Sequence, residues 1–319
     1  MVVFTSEPAK ARYKVINWRE YNESLVRRGD ITFWFSAEVL SAWEHLNSER
    51  KVGHPFVYSD VAIEALLTLR ELFRLPYRQT EGLGLAIAKL IQADLAIPDF
   101  TSLQKRAAKL KIAISSHPVA QGPIDVIVDS SGVKVYGEGE WRVRCYGVER
   151  RRTWRKLHLA IDSQTQEIVA QVLTTKHAGD AGQVAKLLQQ VEQTVVKFYG
   201  DGGYDHWHVY DTLSQQQIAP IIPVRKSASL RQHGNCGGPR LPRDETLREI
   251  RRLGRARWKR EVGYHRRSLV ETAFSRLKRR FGDTFKNRRL DHQATEVALR
   301  CKLLNHFTHL GLPKFVWTN

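Results

Sequence analysis

Residues 124–132 read Ile124-Asp125-Val126-Ile127-Val128-Asp129-Ser130-Ser131-Gly132, and this stretch decides the fold class. Ile124, Val126, Ile127 and Val128 are β-branched, which restricts χ1 in a helix and packs well on a pleated surface, so the segment is expected to be a buried strand. Ser130, Ser131 and Gly132 are turn residues, and the spacing predicts a strand over 124–129 that delivers Asp129 to a sheet edge. Working outward, short β-rich segments recur at 133–136, 156–162, 168–174, 195–199 and 219–224, with helical spacing at 180–193 and near 206–217. Strands interrupted by helices predict an α/β class, a mixed five-stranded sheet flanked by helices.

Upstream, the first 115 residues read as helical. Val61, Ala62, Ala65, Leu66, Leu69, Leu72 and Phe73 make an amphipathic run that Leu75-Pro76 closes, and a second run covers 79–95. Pro98 breaks the pattern. Thr101-Ser102-Leu103-Gln104 then resembles a capping box opening a short basic helix over 102–111, with Lys105, Arg106 and Lys109. Helix, break and basic helix read either as a helix-turn-helix or as an ordinary bundle with a basic face. The expected division is an all-helical N-terminal part, 1–120, and an α/β part, 121–319, with a loop over 226–247, a basic insertion near 226–260 and long helices to the end.

The 319 residues carry 51 Lys+Arg against 33 Asp+Glu, a formal net charge of +18. Residues 1–120 hold 16 basic and 13 acidic side chains, whereas 225–290 hold 21 and 6, so one fifth of the chain carries +15. Such concentration is the electrostatic footprint of a polyphosphate partner, though a solvated basic face gives the same count. Ordinary apolar content, 42%, argues against disorder. No apolar run approaches the roughly 20 residues that span a bilayer, and MVVFTSEPAKAR lacks the apolar centre of a signal peptide. Cys145, Cys236 and Cys301 are odd in number and widely spaced, which fits a reducing compartment, so the cytoplasm is expected.

Three carboxylates stand in settings where they do more than confer solubility. Asp129 follows one apolar strand, and Asp201 follows 195–199 and precedes Gly202-Gly203-Tyr204-Asp205. Two Asp at strand ends suit a hard cation that keeps waters and accepts phosphate oxygens, although Asp at such junctions also forms turns. Glu271 lies on a helix expected over 264–280. At about 100° per residue, Tyr264, Arg267, Glu271 and Lys278 share a stripe about 60° wide, beside an apolar stripe of Val270, Phe274 and Leu277 that docks the helix. Ion pairing explains this stripe as readily as phosphate gripping.

Tyr264, Arg267, Glu271 and Lys278 reproduce the pattern Tyr-x2-Arg-x3-Glu-x6-Lys. With the segments 154–159, 200–205 and 266–271, and the start at Asn17-Trp18-Arg19-Glu20-Tyr21, the chain resembles DDE transposases of bacterial insertion sequences, the IS-five-like group, over about residues 10–313. The resemblance implies an RNase H-like catalytic domain behind a helical, helix-turn-helix-like DNA-binding domain. It implies that Asp129, Asp201 and Glu271 are catalytic and hold two Mg²⁺, with Mn²⁺ as a substitute. It further implies DNA contacts from Tyr264, Arg267 and Lys278, and a nucleoid-associated protein of a bacterial cytoplasm. Double-stranded DNA is the expected partner, for a homodimer or higher oligomer on it, with no membrane and no small-molecule cofactor. Lys105, Arg106 and Lys109 are candidate DNA contacts, and Trp258 is either a stacking platform for a base or a core residue. His177 is a candidate neighbour of the site or a plain surface residue, and His233-x2-Cys236 offers too few ligands for zinc. A non-catalytic DNA-binding regulator and an RNase H-like nuclease without strand transfer are the competing readings.

Overall fold

The protein is described by a computed structural model covering residues 12–47, 55–114, 122–135, 154–233 and 237–318; Cys145, Cys236 and the 120/121 boundary lie outside these residues. Its strands are β1 (Arg12–Val15), β2 (Ile124–Val135), β3 (Trp154–Asp162), β4 (Ile168–Thr175), β5 (Val195–Tyr199), β6 (Ala219–Ile221), β7 (Thr284–Phe285) and β8 (Phe315–Thr318). The helices are α1 (Trp18–Arg27), α2 (Ala37–Ser41), α3 (Asp60–Phe73), α4 (Tyr77–Leu90), α5 (Phe100–Ala107), α6 (Val184–Leu188), α7 (Trp207–Gln215), α8 (Pro242–Leu253), α9 (Arg255–Glu261), α10 (Ser268–Phe281) and α11 (Leu290–Leu310). Among the described residues, no helix is long and apolar enough to cross a membrane.

A mixed sheet runs β4-β3-β2-β5-β6, with β7 also on β2. The sheet has six strands, one more than the five expected. Strand β7 is only two residues long, too short to leave a periodicity in sequence, and it pairs in parallel with Lys134 and Val135. Strand β2 also departs from expectation, because it continues through Ser130-Ser131-Gly132 to Val135 instead of turning after Asp129. Its antiparallel ladder with β3 is unbroken from Val126↔Asp162 to Lys134↔Trp154. Gly132 suits the strand because the Trp154 ring packs over it, 3.1 Å from where a Cβ would stand. A ladder satisfies the backbone groups that a turn would expose, so it overrides local turn preference.

Strand β5 pairs with β2 only as far as Ile127↔Tyr199, and β7 joins the same edge at Lys134↔Thr284. Between them, no described strand covers the edge of β2. Asp129 lies in that gap. On one face Ile127, Val133, Leu157 and Leu159 pack against Val270, Phe274 and Leu277 of α10 and Val297, Cys301 and Leu304 of α11. Val270, Phe274 and Leu277 are 0%, 6% and 2% exposed, and burial of roughly 1.5–3 kcal/mol each fixes α10 over the gap. The other face buries Val126, Val128 and Ala160 against α6 and α7.

Helices α3–α5 form a separate apolar cluster that Leu299 of α11 joins. The basic helix expected over 102–111 is the shorter α5, capped by Asp99, which accepts from Thr101 and Ser102 N–H groups. A carboxylate in this position outcompetes the neutral Thr101 hydroxyl expected to cap. Three other expectations change. The helix expected over 180–193 shrinks to a 3₁₀ turn at Ala181–Gln183 and α6, the loop over 226–247 gives way to α8 at Pro242, and the chain ends not in helix but in β8, paired antiparallel with β1. That last pairing joins opposite ends of the chain, which no local pattern records.

Candidate active site

Three elements meet at the open edge of β2. Asp129 comes from mid-strand, its side chain 21% exposed, with Oδ2 accepting from Arg267 Nη1 at 3.0 Å and Oδ1 accepting from Ser130 N–H at 2.8 Å. Glu271, in the first turn of α10, accepts from the other guanidinium nitrogen of Arg267. Asp201 follows β5 and caps a 3₁₀ turn, Gly202–Tyr204, by accepting from Gly203 N–H at 2.8 Å. At position 203 a Cβ would come within 2.9 Å of Asp201 Oδ1, so glycine there lets the Asp201 carboxylate keep this position.

The electrostatics report the convergence. The Asp129 carboxyl is held above its usual value, first by burial, with the Asp201 and Glu271 charges adding to it against Ser130 N–H and Arg267. Burial raises the Tyr264 phenol, again with Asp201, Asp129 and Glu271 contributing. Arg267 stays above its ordinary value: burial lowers it, but Tyr264, Glu271, Asp129 and Asp201 outweigh that. One guanidinium therefore lies in the field of all three carboxylates.

The helix expected over 264–280 is in fact two pieces. Tyr264–Arg267 is a 3₁₀ turn after Gly263, whose φ of 67° is left-handed, and the α-helix begins at Ser268. Side chains at i and i+3 eclipse in such a turn, so Tyr264 stays on the side of Arg267, and its ring also lies beside Trp258, with Lys259 Nζ at 4.9 Å from its centre. Arg267 and Glu271 keep their i,i+4 pairing, the alternative that the sequence leaves open, and Lys278 Nζ donates to Ser131 Oγ at 2.6 Å.

Other expected contacts fall elsewhere. Trp258 is 1% exposed in a cluster with Val224, Leu247 and Ile250, which corrects its reading as a base-stacking platform: the indole is sealed inside a small core. Lys105 and Lys109 are exposed on and just after α5, whereas Arg106 is committed to Asp60 at 2.5 Å and to the Tyr58 carbonyl. His177 is exposed. A different histidine is buried near the site. His158, on the opposite sheet face, contacts Thr174 Oγ1 at 2.9 Å and Asp180 at 3.3 Å, and burial holds its imidazole down to about 4. Its only sequence signal was a pair of polar residues, Lys156 and His158, alternating inside an apolar strand. Asp125, with Arg266 at 3.7 Å, and Ser131, under Lys278, were likewise missed.

A family model described as a transposase DDE domain matches residues 120–306, and a second with the same description matches residues 26–138. The chain belongs to the DDE transposases. A solved structure described as a piggyBac transposase synaptic complex with hairpin DNA is similar at 10% identity and a TM-score of 0.37, covering 89% of this chain and 74% of that one. As a DDE transposase, the protein is an enzyme of DNA transposition. Its carboxylate set can be tested against the divalent cation such enzymes use. Among the described residues no three His, Cys, Asp or Glu side chains are already gathered as a metal cage. The donor chemistry nevertheless fits: all three groups are hard oxygen donors, and the cationic Arg267 already pairs with both Asp129 and Glu271.

Proposed function

We propose that this transposase is encoded by an insertion sequence of the IS-five-like group. In this reading it binds the terminal inverted repeats as a homodimer or larger assembly, cuts DNA, and joins the freed 3′-OH to a target. The α/β part, 121–319, is RNase H-like, and the N-terminal part, 1–120, reads DNA sequence. The observation that carries the reading is geometric: Arg267 joins Asp129 of β2 to Glu271 of α10, and Asp201 stands just after β5, which pairs alongside β2 up to Ile127↔Tyr199.

Asp129, Asp201 and Glu271 would hold two Mg²⁺. When bound, these ions supply charge neutralisation at the scissile phosphate and favour a deprotonated oxygen nucleophile in line with the leaving oxygen. The side chains of the protein do the rest. Arg267 holds Asp129 and Glu271 in register while no other cation neutralises them, and its fork also suits a phosphate oxygen. Tyr264 and Lys278 grip phosphates flanking the scissile bond. Lys105 on α5 and Lys109 just after it would add phosphate contacts.

Both chemical steps conserve phosphodiester bookkeeping. Water adds to phosphorus at the element's end and the 3′-oxygen leaves; that 3′-OH then attacks a target phosphodiester, forming one P–O bond as another breaks. No covalent protein intermediate and no external energy source enters. The test is incubation of the protein with Mg²⁺, a DNA bearing its own terminal repeats, and a target plasmid. Repeat ends covalently joined to target, lost in Asp129→Asn while end binding persists, support the proposal. Fragmentation without joining would make it a simple nuclease, and cleavage surviving in Asp129→Asn would overturn the site.

A further inference from the structure

Away from the carboxylates, where the turn between α3 and α4 meets the start of α11, lies a cavity of about 750 Å³. Arg70, Arg74, Tyr77, Lys286, Arg288 and His292 line it, with Gln104 of α5 in the wall, and no acidic side chain is among its described lining residues. The carboxylates behind it are spent: Glu71 and Glu296 are held by Arg70 and Arg300. Arg74, Lys286 and Arg288 form no ion pair with a described residue, in contrast to Arg289, which Asp291 holds.

Three independent features mark the cavity as a place for anionic oxygen. Arg70 is only 4% exposed and is fixed by Glu71 at 2.6 Å and by the Tyr77 ring at 4.2 Å, yet its Nε is buried with no hydrogen-bond partner among the described residues. A buried N–H without an acceptor is costly, and an incoming oxygen relieves it. Helix α4 begins at the cavity without a side-chain N-cap hydrogen bond, so its positive dipole end and orphan N–H groups lie here, whereas the first turn of α11 already holds Asp291, which accepts the His292 N–H. Finally, burial holds the Lys286 ammonium below its usual value, with Glu71 and Glu296 opposing and Arg70 and Arg74 adding to it, and a polyanion in the cavity would favour its charged form.

Geometry identifies the occupant. Lys286 follows β7, whose Phe285 pairs with Val135 on the same strand that carries Asp129. Asp129 and Val135 are roughly 20 Å apart at about 3.3 Å per strand residue, which corresponds to about six base steps of duplex at 3.4 Å each. We infer that this cavity is a second backbone-binding site, taking phosphodiester groups of the DNA duplex whose scissile bond lies at Asp129. The inference rests on the transposase reading. It makes the phosphate grip a joint product of both parts of the chain: Arg70 and Arg74 come from α3 and its end, Lys286 and Arg288 from the link between α10 and α11.

The test uses the full chain carrying Asp129→Asn, so that nothing turns over, and a mixed-sequence duplex of about 30 base pairs followed by fluorescence anisotropy from about 50 to 200 mM salt. The triple variant Arg74→Gln/Lys286→Gln/Arg288→Gln is expected to lower the slope of log affinity against log salt by 2 to 3, about one per lost phosphate contact, and to weaken binding at least about tenfold near 0.15 M salt. Lys186→Gln/Lys197→Gln, which removes two exposed cations elsewhere, should leave the slope unchanged. Arg288→Gln alone removes only an exposed side chain and should lower the slope by about one without disturbing the thermal melt. An unchanged slope in both cavity variants overturns the inference while leaving the transposase reading intact. AMP binding seen by calorimetry and lost in the triple variant, with the DNA slope unchanged, would make this a nucleotide pocket and also overturn it. Failure of the unsubstituted cavity to bind any duplex would instead sink the transposase reading itself.

Discussion

Two guanidinium groups in this protein each bridge a pair of carboxylates. Arg300 on α11 donates to Glu71 at 3.0 Å and to Glu296, and the three side chains are 2%, 2% and 0% exposed. Arg267, just before α10, donates to Asp129 at 3.0 Å and to Glu271, with exposures of 23%, 21% and 54%. The chemistry is the same and the solvent is not. In the sealed group, burial raises the Glu71 carboxyl, Glu296 adds to it, and the two arginines oppose it; no ion can leave without stranding another. It also fastens α3 to α11, binding the helical N-terminal cluster to the sheet. In the open group water can take over from any partner, so Arg267 can yield its carboxylates to another cation. Burial, not the identity of the residues, separates a structural ion group from one free to do chemistry.

The comparison breaks most sharply under one substitution made in both places. Arg300→Met leaves Glu71 and Glu296 buried and unpaired, and should cost about 3–5 kcal/mol in urea unfolding; Arg267→Met should cost within about 1 kcal/mol. Equal losses at the two sites would dissolve the distinction. In activity the order reverses. Glu271→Gln should reduce Mg²⁺-dependent cleavage on the order of 10³-fold, about 4 kcal/mol of barrier, while the urea midpoint barely moves, and cleavage within tenfold of the parent would remove Glu271 from the site.

A smaller effect concerns the third carboxylate. Gly203→Ala would push against Asp201 Oδ1 and should slow cleavage by about 10–100-fold through misplacement alone, with duplex binding retained; full activity would show that Asp201 does not act from this position. The smallest is a pH effect. Because the folded Asp129 carboxyl is raised above its ordinary 3.8, it favours folding when protonated and loses that contribution as pH rises through the folded value. Asp129→Asn should therefore melt about 1–3 °C above the parent near neutral pH, and the gap should close on acidification towards 3.8. A gap that widens in acid would reverse the assigned cause.

Several features were legible because their signals are local. The apolar run before Asp129, the glycines after Asp201 and the apolar stripe beside Glu271 lie within a few residues of each carboxylate, and Ser59 caps α3 where the amphipathic run begins. The unread features depend on partners distant in sequence. Ser130-Ser131-Gly132 looks like a turn until β3 supplies the other half of a ladder. Strand β7 exists only because β2 offers an edge at Lys134. Trp258 amid four cations reads as either a stacking platform or a core residue, and only the packing of Val224 and Leu247 around it decides for the core.

By itself, then, the sequence determined an α/β chain with its positive charge gathered around Glu271 and with three carboxylates set beside apolar, docking segments, since periodicity and composition act over neighbouring residues. The tertiary structure alone decided that β2 runs through Asp129, that Arg267 spans two carboxylates instead of one, and that the Arg300 group is sealed while the Arg267 group is open. Those outcomes depend on desolvation and on backbone pairing across more than a hundred residues, quantities that no window of sequence contains.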